Sequence, residues 1–176
     1  MTTSTQKQIT THPCANDCIA YLQQGLDAIC ELDDAQYITT LPPVFISGVG
    51  AHVRHILDHF HCFLTGLKDN RIDYDLRQRD PHIERERLVA IDAMKSTMSS
   101  LLEIEASVHE RPLLIKMDSG CAGEQWAESS LTRELQFLVS HTIHHYALMA
   151  AILAHAGFEV TRGFGISPST LRHQAR

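Results

Sequence analysis

Apolar side chains recur at three- and four-residue steps through four long stretches of the chain, the spacing that lines one face of a helix. Ile19, Leu22, Leu26, Ile29 and Leu32 mark the first, over residues 14–34. The "LPPVF" that follows removes two amide donors and ends it. Val49, Val53, Ile56, Phe60, Phe63, Leu64 and Leu67 mark the second, over 47–68, with Ser47 as a suitable N-cap. The polar "DNRIDYDLRQRDP" reads as a connection, and Asp80-Pro81 as a cap and first helical residue, so a third helix is expected over 81–106. Ser129 and Ser130 precede the fourth, which continues to Ala156 and stops at Gly157.

Between the third and fourth, "LLIKMDSGCAG" has a short apolar run followed by turn residues, enough for a small hairpin. The tail from about residue 158, "TRGFGISPSTLRHQAR" at its end, is punctuated by Gly, Pro and Ser and reads as irregular. Residues 1–12 read as a flexible leader. The expected architecture is therefore all-α, a four-helix bundle in one domain over 13–176.

Composition narrows the function. A formal charge of -6, from 15 Lys+Arg against 21 Asp+Glu, with no long basic block, argues against nucleic acid as a partner. No apolar run approaches the ~18 residues of a membrane span, so a soluble, cytoplasmic protein is expected. The five cysteines (Cys14, Cys18, Cys30, Cys62 and Cys121) show no CxxC pairing, which fits reduced thiols.

Histidine is the outlier, with twelve in 176 residues. In "SHTIHHYALM", His141 and His145 lie about 40° apart around a helix, on the side that carries Leu138, Met149 and Ile152, while His144 sits at its edge. Two imidazoles one turn apart can reach the same metal ion. In "GAHVRHILDHFHCFL", His52, His55 and His59 fall within an arc of about 60° beside the apolar stripe, and His61 faces away. Any of the three can supply a third ligand, leaving an open position of the catalytic kind. HExxH, ExxH, CxxCH, GxSxG and GxxxxGK[ST] are absent, and the HxE at His82 lacks a PCxxC partner. A common zinc protease, a di-iron carboxylate bundle, a c-type haem protein, a serine hydrolase, a P-loop enzyme and a nucleobase deaminase are thereby disfavoured.

Those two stretches, "GAHVRHILDHFHCFL" and "LTRELQFLVSHTIHHYALM", resemble the ligand-bearing helices of the DinB/YfiT-like superfamily of metalloenzymes; the tail "GFGISPST" resembles some of its endings. The resemblance extends from the first helix to the end of the fourth. It implies helices in up-down-down-up order, a homodimer, and one divalent ion (zinc, nickel or iron) on a triad of His55, His141 and His145. His52 or His59 remains an alternative to His55. It further implies a transferase that activates a small thiol, or water, against an electrophilic substrate, or else a non-catalytic metal- or ligand-binding protein of stress responses.

Several nearby residues admit a site role beside a structural one. Asp58 and Glu134 can orient ligand imidazoles, Cys62 can face the site, and Arg162 with the tail can cover a pocket. Trp126 and Tyr146 read as core or interface aromatics.

Overall fold

A computed structural model of the chain describes residues 10–108, 111–120 and 125–176. In chain order its helices are α1 (Pro13–Cys30), α2 (Asp34–Tyr37), α3 (Val49–Gly66), α4 (Pro81–Arg85), α5 (Arg87–Leu102), α6 (Leu131–His155) and α7 (Pro168–Gln174). Three strands, β1 (Arg71–Asp73), β2 (Pro112–Lys116) and β3 (Ala127–Ser130), form one mixed sheet.

The four long helices α1, α3, α5 and α6 pack side by side, α1 and α3 each between α5 and α6. Their directions follow from cross-links. His12 N donates to Ile104 O, so α1 begins where α5 ends. Cys18 Sγ donates to Leu135 O and Tyr146 Oη to Tyr21 O, so α1 and α6 run the same way. His52 meets His145 while His59 meets Phe137, so α3 opposes α6.

The centre is filled by the predicted stripes, with Leu22, Ile29, Val49, Phe63, Leu135, Leu138, Met149 and Ile152 all 0% exposed. One 18-residue window of α6 reaches a mean hydropathy of 1.3, long and apolar enough to cross a membrane. A third of that window is buried, including Leu138 and Met149, while Val139, Ile143 and Leu148 are half-buried.

The all-α expectation needs correction, because the chain is mostly helical but carries the mixed sheet. β2 falls in the stretch where a hairpin was expected, but its antiparallel partner β3 lies beyond that stretch, directly before α6, with Pro112 opposite Ser130. β1, inside the segment read as a polar connection, adds in parallel to β2, with Ile72 opposite Ile115. Burial accounts for it: Ile72, Tyr74 and Leu113 are at most 2% exposed, covering the C-terminal end of α3.

The third predicted helix is broken at Glu86, whose backbone is extended at φ -115°, ψ 99°. The break lets α4 lie across α3. Gly50 permits that approach, since a Cβ there would sit 2.0 Å from the Glu84 carbonyl oxygen. The N-cap of α3 is Gly48 rather than Ser47. The tail is not wholly irregular, because Ser167 caps α7 and Phe164 is buried, stacked on Tyr146.

At the other end, Thr10 O accepts Ala106 N, Thr11 bridges to Glu105 and His12 is 1% exposed, so residues 10–12 are tied to the segment after α5. The remainder of the predicted leader, 1–9, and Cys121 lie outside the described residues. Cys14, Cys18, Cys30 and Cys62 are free thiols.

Candidate metal centre

Antiparallel packing of α3 on α6 sets the histidine arcs of the two helices face to face. Val53, Ile56, Phe60 and Phe63 on α3, and Leu135, Leu138, Met149 and Ile152 on α6, are in the core, which fixes the rotation of both helices. The imidazoles beside these stripes then have no direction to take except toward one another.

His55, His141 and His145 each present one ring nitrogen, and the three nitrogens lie within 4.8 Å of one another. Ring centroids are 5.0 Å apart for His55 and His141, 4.6 Å for His55 and His145, and 4.6 Å for His141 and His145. The Nε2 atoms of His141 and His145 are 3.2 Å apart. Two nitrogens bound about 2.0–2.1 Å from one tetrahedral ion stand about 3.3 Å apart, so this pair already has ligand spacing.

The other two histidines of the α3 arc flank this triad. His52 Nδ1 lies 3.0 Å from His145 Nδ1. With its proton on Nδ1, His145 donates to His52 and directs the Nε2 lone pair at His141, the tautomer a metal ligand needs. His52 Nε2 is then buried with no hydrogen-bond partner. His59 Nδ1 donates to His55 O at 2.9 Å, leaving its Nε2 unprotonated in the neutral ring. The His59 ring lies 4.0 Å from that of His141 and stacks on Tyr74 at 5.6 Å.

Charge is excluded from the cluster. Burial, then the neighbouring imidazoles, push His141 down to about 2 and His145 to about 3. Burial, His59 and the guanidiniums of Arg77 and Arg54 push His55 down to about 4. His52 and His59 are lowered as well, chiefly by burial. At neutral pH these rings are uncharged, with lone pairs available to a cation. Such a donor set of converging neutral imidazoles fits a divalent transition metal, and does not fit calcium or magnesium, which take oxygen ligands.

Of the other residues weighed from the sequence, neither acid touches a ligand ring. Asp58 pairs with Arg54 at 2.8 Å and accepts Arg79 N at 3.1 Å. Glu134 accepts Tyr74 Oη at 2.8 Å and also the Ser129 hydroxyl. Burial and the Asp58 carboxylate push the Cys62 thiol up to about 11, an unreactive state. Arg162 is exposed, His61 and His144 are exposed, and Trp126 lies under the Arg71 guanidinium.

Sequence reasoning passed over Tyr74 and Arg77, which sit in the segment read as a connection. Together with His59, Arg79 and Lys116 they line a cavity of about 740 Å³ beside the triad. The only local signal was the alternation of Ile72 and Tyr74.

Compared with known proteins, no family model and no solved structure matches the chain. FK506-binding protein 5 of Rhizopus delemar is 32% identical over 104 residues, which make up 58% of this chain and 27% of that protein. The matched segment thus spans about a quarter of a longer relative.

Proposed function

We propose that the chain is a mononuclear metalloprotein of the DinB/YfiT-like type, binding zinc, nickel or iron through His55, His141 and His145 and transferring a small thiol to an electrophilic substrate. The observation that carries this reading is the convergence of three neutral imidazoles from two antiparallel helices. The up-down-down-up run of the long helices supports it too, as does the resemblance of both ligand helices. A divalent ion held there would supply an open position that favours the thiolate form of a bound thiol, or the deprotonated form of water.

The chain's own residues do the rest. His59, its Nδ1 committed to the His55 carbonyl, offers Nε2 at the cavity wall to accept the thiol proton. His52 holds the orientation of His145. Phe137, tilted against His141 at 5.6 Å, also meets Tyr74 and His59 and so braces the cavity wall beside the triad. The thiolate attacks the electrophilic carbon; the new C–S bond forms as the bond from that carbon to its leaving group breaks, and the leaving group departs with the electron pair and takes up the proton held on His59 Nε2. We further propose that the protein is cytoplasmic and, as the resemblance implies, a homodimer.

A second reading is ligand binding without turnover. It is favoured by the shared segment with a protein named for binding FK506.

The test is metal content per chain in tag-free protein, beside His145→Ala, followed by a thiol-transfer screen. About one equivalent in the parent, lost in the variant, supports the site. At metal a thousandfold above Kd it should stabilise the parent by about 4 kcal/mol. Sub-stoichiometric metal that the substitution leaves unchanged, and that added zinc, nickel or iron does not restore, would overturn the reading. Stoichiometric metal without thiol turnover would favour the second one.

A further inference from the structure

We infer that the cavity beside the triad is an anion subsite, built to hold the carboxylate or phosphate of a small molecule whose reactive end lies at the histidines. The inference rests on the reading above for the reactive end only; the subsite stands on its own residues.

Arg77, Arg79 and Lys116 line this cavity of about 740 Å³ with Asp75, Asp118 and His59. The balance of charge on its wall is set by which groups are already engaged. Lys116 pairs with Asp73 at 3.3 Å. Asp75 Oδ2 accepts Asp118 N at 2.9 Å and Asp118 Oδ1 accepts Gly120 N at 2.8 Å, so each acid is turned toward a backbone amide. Arg77 and Arg79 enter no ion pair among the described residues. By contrast Arg54, on the neighbouring helix, is bound to both Asp58 and Glu84.

Arg77 anchors the subsite. Its Nε is sealed from solvent and has no hydrogen-bond partner. A guanidinium on the cavity wall with no ion pair among the described residues keeps its charge available, and a planar fork of this kind suits the two oxygens of a carboxylate or phosphate. It shares the cavity wall with His59, and its charge is felt by both His59 and His55.

Arg79 adds a second sign of a built site. It is one of two non-glycine residues with positive φ among the described residues, at 53°, and its amide is tied to Asp58 Oδ1. A left-handed backbone at a bulky residue is unfavourable and tends to persist where it aims a side chain. The segment is held from both sides, by β1 pairing to β2 and by the Asp58 bond, so both arginines reach the cavity wall from a fixed backbone. The volume admits a ligand of metabolite size, larger than an isolated ion.

The experiment is calorimetric titration of succinate and of inorganic phosphate into the full chain at fixed ionic strength, with sodium chloride as the blank. It is run on chelator-treated protein and on zinc-treated protein. Saturable binding of at least one probe is expected, weakened at least tenfold in Arg77→Gln and partly recovered in Arg77→Lys, with Lys95→Gln, on the exposed face of α5, as control. Circular dichroism checks the fold; if Arg77→Gln does not fold, the exposed Arg79→Gln takes its place, with at least a threefold loss expected. Binding that is absent, or unchanged in folded Arg77→Gln or its replacement, overturns the subsite. Binding that persists in His141→Ala, which removes a metal ligand, upholds the subsite whether or not the metal reading survives.

Discussion

His141→Leu in metal-free protein tests whether the triad is held neutral by the fold. His141 is surrounded by His55, His59 and His145, and burial with these neighbours pushes it down to about 2. In the unfolded chain the same imidazole titrates near 6.5. The folded pKa is the lower one, so the unfolded state binds the extra proton as pH falls. Stability is therefore fully present above about pH 6.5 and declines below it. At pH 5 the loss is about 2 kcal/mol, 1.5 pH units at 1.36 kcal/mol each, and at pH 8 it vanishes. Because pH 5 lies well above the folded value, this figure depends on the unfolded pKa and not on how deep the depression goes. Leucine takes up no proton in either state, so the variant should gain about 2 kcal/mol on the parent between pH 8 and pH 5, or ~4–8 °C in Tm. Urea unfolding of chelator-treated parent and variant at the two pH values reads this difference directly. Parallel pH dependences, agreeing within about 0.5 kcal/mol, would show that the imidazole is free to ionise in the folded chain, and the electrostatic account of the site would fall.

Two further substitutions test how the surroundings of the site are built. Gly50→Ala places a Cβ 2.0 Å from Glu84 O and 2.7 Å from Tyr37 Cε1, with α4 pinned by Tyr37 Oη to Ile83 O at 2.7 Å. Overpacking of roughly 3 kcal/mol against a helix-propensity gain of about 1 leaves a net loss near 2 kcal/mol and a Tm ~4–8 °C lower; a Tm equal to the parent's would mean that α4 does not press on α3 there. Tyr74→Phe removes the donor to Glu134, a carboxylate 3% exposed, and should cost about 1–3 kcal/mol in thermal unfolding while leaving metal stoichiometry at the parent value.

What could be read in advance followed the range of the interactions responsible. The long helices were visible because their stripes repeat within a few residues, and α6 was found with its Ser130 cap in place. The histidine pair on α6 and the arc on α3 were visible for the same reason. The choice among His52, His55 and His59 was not, since a helical wheel gives direction around an axis and not height along it. At 1.5 Å per residue His52 and His59 are about 10 Å apart along α3. Antiparallel packing puts His52 beside His145 and His59 beside Phe137 and His141, and only His55 lies level with the gap between His141 and His145. The sheet was hidden more deeply, because β1 has three residues and finds its partner some forty positions away, so no local period announces it. That hidden segment leads on from Ile72 through Tyr74 and Arg77 to Arg79, and so forms the wall that faces the histidines. The histidines come from local periodicity and the cavity from distant pairing, which is why a sequence of this kind points to a candidate metal centre sooner than to a substrate.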